Sequence, residues 1–531
     1  MTKLFEINPD LAVSLGLHEP YDYMLPNGSS LRFQETLRLM EEWLECLKRN
    51  LRREDLSDEH KIDWEVLEDF YERLKFDFYD RRIHELNPDV SEELGGPILI
   101  IFMRNYAPLE KRIEAIAARI EQMPRYLEDF RTRFERSQPV RLWTELAIEK
   151  TQNLQDFFLY ILEAVKGKVS EEIYSRLENA IENVKAAIER QVEWLRSLLD
   201  NAKDDWALGR EKFERLIQIR NLGMRSEEIL QLGMEYLEQL KMERMRIAQK
   251  IVPGGSVEDA LRVVEYKSPR TFEEALEYTR RVIEDAKRFV QEAGILTVYP
   301  EDILIVEETP TFLTPVIPFA ALIMPAKFDK QRIGIYLVTR PRDEIDLRKR
   351  HNYPAITNTA VHEAFPGHFL QGALASRGSV IRFLAEGVET IEGWAHYCED
   401  LMNEKGFIRD LETRLIQVND MIWRAVRIIV DVKLSRGEMS FQEAVEMLVK
   451  EARMSEEAAR AEVNRYTQTP GYQLSYLLGK HLILKLKKEI QQRMGERFDE
   501  RFFHDTIAAN GYLPISLIRK IFDKKISALT H

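Results

Sequence analysis

Apolar residues recur at helical spacing through most of the first half of the chain. Phe33, Leu37, Met40 and Leu44 follow one another at steps of three and four, with charged residues between them. This is the pattern of a helix that buries one face, and similar stripes continue to about residue 250. Because no fixed period links the stripes, they predict a helical body rather than a solenoid of repeats.

Glycine, proline and capping residues divide this helical pattern. Gly-Gly-Pro at 95–97 predicts a loop, and Val-Pro-Gly-Gly-Ser at 252–256 predicts the main break in the middle of the chain. Thr271 and Glu274 have the spacing of a capping box. They predict a helix of about twenty residues that ends near Gly294.

The period of the pattern changes between residues 295 and 340. Three short runs rich in β-branched residues, at 302–308, 320–324 and 333–338, predict the strands of a small sheet. The edge of such a sheet can pair with an extended peptide. A purely structural hairpin would explain the same pattern.

These segments predict a mainly α fold, with one large helical body, a central cleft and a small embedded β-sheet next to a metal site. We expect a single domain over 1–531, with a helical half at 1–255 and a half at 256–531 that carries the sheet. The chain is 44 % apolar and 31 % charged, which is the balance of a globular protein. Its formal net charge of −13 argues against nucleic acid or an anionic membrane as a partner.

The cysteine content and the amino-terminal stretch indicate a compartment. Cys46 and Cys398 are too few for a disulfide framework. The first residues lack the apolar core of a signal peptide, and no apolar run reaches membrane-spanning length. We therefore expect a cytoplasmic protein. Its expected substrate is a peptide or a small amide, and the hypothesis for its assembly is a homodimer. The Lys- and Glu-rich composition is mildly typical of thermophilic proteins.

One short stretch concentrates groups that bind metals. His362, Glu363 and His368 lie within seven residues. In a His-Glu-x-x-His zinc helix, two imidazoles four residues apart share a face and the adjacent Glu is the general base. Here the second histidine is about 120° off that face on a regular helix, so Pro366 and Gly367 must interrupt the helix if both imidazoles are to reach one metal. The alternative is a chance His-Glu pair, with His368 at a helix terminus.

A second cluster lies on a helix predicted to start near residue 386. Its polar residues follow at steps of three, four and three, so they share one face: Glu389, Glu392, His396 and Glu399. Such a face is usually solvated. Trp394 and Tyr397 between them favour a buried setting, in which carboxylates need partners.

Three motifs carry a resemblance to a known family. They are His-Glu-Ala-Phe-Pro-Gly-His-Phe-Leu-Gln at 362–371, Glu-Gly-Trp-Ala-His-Tyr-Cys-Glu at 392–399, and Thr-Pro-Gly-Tyr-Gln-Leu-Ser-Tyr-Leu-Leu-Gly-Lys at 469–480. In this order they resemble the family catalogued as domain of unknown function 885 (DUF885). Its members look like distant relatives of helical zinc carboxypeptidases and of angiotensin-converting enzyme. The resemblance covers most of the chain and implies one Zn²⁺ per chain.

The resemblance also implies roles around the metal. His362, His368 and Glu392 would be the ligands and would leave an open position, as catalytic zinc sites do. Glu363 would be the general base. The residues that would orient the ligands are Glu399, His396 and Glu389.

Further residues would contact the substrate. Tyr476 or Tyr472 would stabilise the oxyanion, by likeness to helical peptidases that use a tyrosine near their carboxy-terminal end, and core packing would explain both equally well. Arg427 and Arg465 would bind a substrate carboxylate. Tyr336, in the third predicted strand, is assigned to substrate binding.

Two positions depart from the family pattern. Many relatives carry two adjacent histidines after Pro-Gly, where this chain has His368 and Phe369, so His368 alone must be the ligand there. Relatives tend to carry a histidine where this chain has Ser435. If that histidine assists the transition state, the chain has lost it or uses His351, His396 or His481 instead.

The predicted function is a zinc-dependent hydrolase, an intracellular metallopeptidase of the carboxypeptidase type. An amidohydrolase acting on a small metabolite would use the same chemistry. A non-catalytic helical scaffold is the third hypothesis, although structural zinc sites rely on Cys and only Cys398 is near the motif. An aminopeptidase would need a carboxylate, such as Glu386, Glu389 or Glu399, to bind the substrate ammonium.

Overall fold

The fold is seen in a computed structural model that describes residues 1–314, 317, 319–329 and 332–530. The described residues are 71 % helical and include a three-stranded sheet, which confirms the predicted mainly α fold. The chain forms two compact units. One comprises Met1–Trp206 with Ala326–Lys330, and the other comprises Ala207–Pro325 with Gln331–His531.

Long helices that bury one face build the first unit. Its helices are α1 Thr2–Ile7, α2 Pro9–Leu15, α3 Leu31–Asn50, α4 Asp58–Lys75, α5 Ile83–Leu86, α6 Ser91–Met103, α7 Leu109–Arg131, α8 Arg141–Val165 and α9 Glu171–Leu198. The loop predicted at 95–97 is wrong, because these residues lie inside α6. Leu94, Ile98 and Ile101 are fully buried along that helix, and this burial outweighs the local preference of Gly and Pro for a turn.

The second unit carries the sheet and the motifs. Its helices are α10 Arg210–Ile219, α11 Ser226–Ile251, α12 Val257–Tyr266, α13 Phe272–Glu292, α14 Glu344–Arg350, α15 Tyr353–Glu363, α16 His368–Ala375, α17 Val380–Phe383, α18 Val388–Glu404, α19 Leu411–Ser435, α20 Phe441–Ala452, α21 Glu456–Gln468, α22 Ser475–Met494, α23 Glu500–Ala508 and α24 Ile515–Thr530. Its strands are β1 Ile303–Glu308, β2 Ala320–Ile323 and β3 Ile333–Val338. The three predicted strands are therefore present.

The unit boundary falls after Trp206, about fifty residues before the division expected at 255. Helices α10 and α11 pack in the second unit, against α19. The backbone N–H of Gly209 donates to the carbonyl of Ser435 over 3.1 Å. Arg244 on α11 donates to Asn419 on α19 over 3.0 Å.

The sheet has the strand order β1-β3-β2, with β1 parallel and β2 antiparallel to β3. It is therefore not a simple hairpin. The sheet packs closely on α16, because a Cβ at Gly334 in β3 would lie 2.7 Å from the ring of Phe369. This contact places β2 and β3 beside the helix that begins at His368.

Capping residues begin the helices where the sequence predicted. Thr271 accepts a hydrogen bond from the backbone N–H of Glu274 over 3.2 Å at the start of α13, and the break at 252–256 separates α11 from α12. Across the described residues, none of the helices has both the length and the apolar character needed to cross a bilayer.

Helices α18 and α22 approach closely enough to position the second motif. A Cβ at Gly393 would lie 2.4 Å from the backbone of Gly479, so a larger residue at Gly393 would force the two helices apart. Glu392 directly precedes this contact on α18. Its position therefore depends on a glycine-mediated helix crossing.

Candidate active site

The histidine motif folds as two helices joined by a tight connection. Helix α15 ends at Glu363 and α16 begins at His368, so the interruption required by their spacing is present. Gly367 allows the connection, because a Cβ there would lie 1.8 Å from the backbone oxygen of His362. Any other residue would clash with the end of α15.

The interruption brings the two imidazoles together. The ring centres of His362 and His368 are 4.8 Å apart, and their planes are nearly perpendicular at 89°. Ligand atoms of His362, Glu363 and His368 all lie within 4.8 Å of one another, close enough to share one cation. Trp394 on α18 fixes the connection by donating from Nε1 to the carbonyl of Pro366 over 2.9 Å.

Glu392 joins this cluster from α18. Its Oε2 lies 3.4 Å from His368 Nε2, while its Oε1 accepts a hydrogen bond from the Tyr472 hydroxyl over 2.7 Å. Burial would raise the pKa of Glu392, but its contact with the His368 imidazole lowers it to about 2. Glu392 is therefore a buried carboxylate with one oxygen held by the protein and the other facing an imidazole.

Glu399 orients the other histidine. Its Oε1 lies 2.7 Å from His362 Nδ1, and its Oε2 accepts from Asn358 Nδ2 over 3.3 Å. Burial opposes ionisation, but His396 and His362 hold the pKa of Glu399 well below its usual range. His396 is fully buried with Nδ1 3.4 Å from Glu399, and burial lowers its pKa to about 4.

The cluster opens onto a cleft of about 780 Å³. Glu363 lines this cleft, is half-buried, and accepts no hydrogen bond from the described residues. Apolar contact surface comes from Leu322 of β2 and from Trp423 and Tyr476. Basic side chains also line the cleft: Lys349, Arg350, Arg424 and Arg427. A volume of this size fits a small ligand.

The tyrosines assigned to catalysis and substrate binding occupy three different settings. Tyr476 lines the cleft, and burial together with the Glu392 charge raises its pKa. Tyr472 bonds to Glu392. Tyr336 is buried at 4 % exposure in β3, where burial and the Glu363 charge raise its pKa.

The two arginines assigned to substrate binding share one carboxylate partner but differ in their access to the cleft. Arg427 lines the cleft and donates to Glu462 over 3.0 Å. Arg465 pairs with the same Glu462 over 2.9 Å, and 40 % of its side chain is exposed. It is not among the cleft-lining residues that the structure describes.

Several other assigned or considered residues are not brought to the cluster. Glu389 forms an ion pair with Arg220, which also donates to Ser475 over 2.9 Å, so Glu389 links helices instead of orienting a ligand histidine. Ser435 donates to Asp431 over 3.1 Å. The remaining positions are an exposed Glu386, a His351 packed on the Phe272 and Phe319 rings, and a His481 bonded to Tyr236.

Two residues that the structure places here were not predicted from the sequence. Asn358 lies one turn before His362 on α15 and bonds to both Glu399 and Asp420. Arg424 lines the cleft from α19. Both had a signal in the sequence, because Asn358 is four residues from His362 and Arg424 is three from Arg427, so each pair shares a helix face.

Comparisons with known proteins place the chain in a family. The model of the family described as "Bacterial protein of unknown function (DUF885)" matches residues 9–521. No curated protein matches the chain.

Two solved structures have the same fold. One, described as "a putative lipoprotein of unknown function from Shewanella oneidensis", shares 23 % identity at a TM-score of 0.80, over 98 % of this chain and 97 % of its own. The other, described as "the putative lipoprotein from Colwellia psychrerythraea", shares 18 % identity at a TM-score of 0.83, over 99 % and 97 %. The family match spans nearly the whole chain, and this protein therefore belongs to the DUF885 family.

Proposed function

We propose that this chain is a zinc-dependent peptidase of the carboxypeptidase type that acts on peptides in the cytoplasm. The observation that carries the proposal is the convergence of His362, His368 and Glu392 at a cleft, with Glu363 beside them. Two imidazoles and one carboxylate are a donor set of catalytic zinc sites, whereas structural sites usually have four protein ligands, often Cys.

The donor set suits one zinc ion per chain. Glu399 holds His362 Nδ1, which leaves Nε2 for a metal. Tyr472 holds one oxygen of Glu392 and leaves the other near His368. When bound, Zn²⁺ would lower the pKa of a water molecule and polarise the scissile carbonyl.

The protein groups supply the proton transfers and the second oxyanion donor. Glu363 faces the cleft with a free carboxylate, so it can accept the proton of the attacking water and return it to the leaving amine. Tyr476 keeps its proton at neutral pH and can donate its O–H to the oxyanion. Tyr472 positions Glu392. Ser435, where relatives tend to carry a histidine, donates its hydroxyl to Asp431.

The basic side chains of the cleft support a substrate with a free carboxylate. Arg424 and Arg427 both line it from α19, and a guanidinium pairs with a carboxylate at two points. A small-molecule amide would also fit the volume, so an amidohydrolase is the competing proposal.

Cytoplasmic location rests on cysteine usage. Cys46 and Cys398 are both free thiols, which is typical of a reducing compartment. The solved relatives are described as lipoproteins, so an extracytoplasmic location is the alternative, and cell fractionation of the full-length native protein distinguishes the two.

The proposal is tested on protein stripped of metal and reloaded with zinc. We expect the zinc-loaded protein to hydrolyse N-blocked dipeptides that carry a free carboxylate, and the stripped protein to be inactive. Glu363→Gln is the matched control, since it should keep the metal and lose turnover. Hydrolysis that is independent of zinc would contradict the proposal. Equal turnover of substrates blocked at either end would favour an endopeptidase or an amidohydrolase.

A further inference from the structure

The arginines of α19 differ in how far the protein already uses their donors. Arg427 donates to Glu462 over 3.0 Å and to the Tyr466 hydroxyl over 2.9 Å. Its guanidinium carbon lies 3.8 Å from the ring centre of Trp423 and 4.7 Å from that of Tyr476. These contacts hold Arg427 in place as a support for the aromatic wall of the cleft.

Arg424 lies one turn away and makes fewer hydrogen bonds to the protein than Arg427. Its guanidinium carbon lies farther from the same two rings, 5.0 Å from the centre of Trp423 and 5.9 Å from that of Tyr476. Arg424 lines the same cleft at 9 % exposure, and its Nη1 donates to the backbone oxygen of Asp420 over 3.2 Å. Its Nε is buried and has no acceptor among the described residues, and the same is true of Nε1 of the adjacent Trp423. Buried donors are rarely left unpaired. Both residues line the cleft, and an unpaired donor on each of them suits a ligand that brings acceptors.

A polar network connects Arg424 to the histidine cluster. Its Nη1 lies 3.6 Å from the Asp420 carboxylate, and Asp420 accepts from Asn358 over 3.2 Å. Asn358 also donates to Glu399, which holds His362. A ligand held at Arg424 therefore lies in the same cleft as Glu363, the residue assigned to proton transfer.

We propose that Arg424, with the Trp423 N–H beside it, binds the terminal carboxylate of the substrate, and that Arg427 is a positioning residue that holds Trp423 and Tyr476. The aromatic wall then contacts the terminal side chain, so the favoured carboxy-terminal residue is apolar or aromatic. The assignment rests on the proposed peptidase function for the reaction. Recognition of the carboxylate itself needs no hydrolysis.

Binding to the zinc-loaded Glu363→Gln protein tests the assignment without turnover. The probes are N-benzoylglycyl-L-phenylalanine and its carboxamide, titrated by calorimetry. We expect the acid to bind about tenfold to a hundredfold more tightly than the amide, as for a hydrogen-bonded charge. Adding Arg424→Gln should reduce this ratio to about one. Adding Arg465→Gln, a change outside the cleft, should leave the ratio unaltered.

Each other outcome overturns the assignment. Equal affinity for acid and amide, binding of neither probe at millimolar concentration, or an acid preference that survives Arg424→Gln would all do so. If Arg424→Gln does not fold by circular dichroism, Arg424→Lys keeps the charge but not the planar pair of donors, and the ratio should fall about tenfold.

Hydrolysis assays on the wild-type protein distinguish a failure of this inference from a failure of the proposed function. Preferential binding of the acid by the Glu363→Gln protein, without any hydrolysis by the wild type, would contradict the peptidase function and support the carboxylate site. Hydrolysis of acid and amide at equal rates would contradict the carboxylate site and support the hydrolase function.

Discussion

Two charge clusters in this chain contain similar carboxylates but differ in what balances them. In the first unit, Glu93 accepts from both terminal nitrogens of Arg133, over 3.0 and 3.1 Å, and also from Arg32 and Tyr126. Burial would raise the pKa of Glu93, but these arginines lower it to about 2. Two permanent cations surround one carboxylate, so this cluster is complete.

The cluster of the second unit is balanced by imidazoles. Glu392 faces His368, and Glu399 lies 2.7 Å from His362. Glu363 adds a third carboxylate on the cleft side. An imidazole differs from a guanidinium in what it can bind, because a neutral imidazole nitrogen is a metal ligand and an arginine side chain has donors only.

The difference distinguishes a cluster suited to stabilising the fold from one suited to the proposed binding site. A buried ionic cluster closed by guanidinium groups orders the chain around it, and breaking it destabilises the fold. A cluster balanced by imidazoles and open to a cleft has metal-ligand chemistry and access to substrate. We therefore expect changes in the second cluster to affect function and changes in the first to affect stability.

Removing the proposed general base should have the largest effect. We expect Glu363→Gln to lower kcat by about 10²–10⁴-fold, because general-base catalysis contributes about that much. Zinc content and melting temperature should stay unchanged. Steady-state kinetics measures kcat, elemental analysis measures zinc content, and thermal denaturation of the same preparation measures the melting temperature. Wild-type turnover in this variant would show that another carboxylate is the base.

The matched change in the first cluster is Glu93→Gln. It leaves Arg32 and Arg133 buried without their carboxylate, so the free energy of unfolding should fall by about 3 kcal/mol. Zinc content and kcat per folded molecule should be those of the wild type. Denaturant titration provides the stability. A loss of zinc with no loss of stability would reverse the roles assigned to the two clusters.

The pH dependence of stability sharpens this comparison. A carboxylate with a depressed pKa stabilises the folded state above its unfolded value, near 4.5 for Glu93, and loses that effect as the pH falls towards about 2. The difference in unfolding free energy between the wild type and Glu93→Gln should therefore be largest at pH 6, at about 3 kcal/mol. It should decrease steadily below pH 4.5. A gap of constant size from pH 6 to pH 3 would mean that Glu93 does not interact with its arginines as described.

The smallest effect is expected from the residue that orients His362. Glu399→Gln removes the charged acceptor of His362 Nδ1, and such changes weaken metal affinity by about 10–100-fold. Competition with a zinc chelator measures the affinity. The matched control is Glu389→Gln, whose carboxylate pairs with Arg220 and should leave zinc affinity unaltered. Equal weakening in both variants would point to a general loss of packing.

Local patterns predicted much of the fold, because helix periodicity and caps are encoded by neighbouring residues. Thr271 and the three strand segments are examples. The loop predicted at 95–97 failed because burial of Leu94 and Ile98 is decided by tertiary packing.

The site divides in the same way. His362 and His368 belong to one short motif, so their convergence follows from a local interruption of the helix. Which arginine of α19 keeps free donors depends on Glu462, which belongs to another helix, and no local pattern contains that information.

The proposed zinc site is tested by the metal content of the purified, zinc-reconstituted protein. Mass spectrometry would give the zinc content per chain in the wild type, in His362→Ala and in Glu93→Gln, and circular dichroism would check that each variant is folded. We expect about one zinc in the wild type and in Glu93→Gln, and less than a tenth of that in His362→Ala, because the motif of α15 and α16 would supply two of three ligands. Full occupancy in His362→Ala, or no zinc in the wild type, would contradict the proposed zinc site.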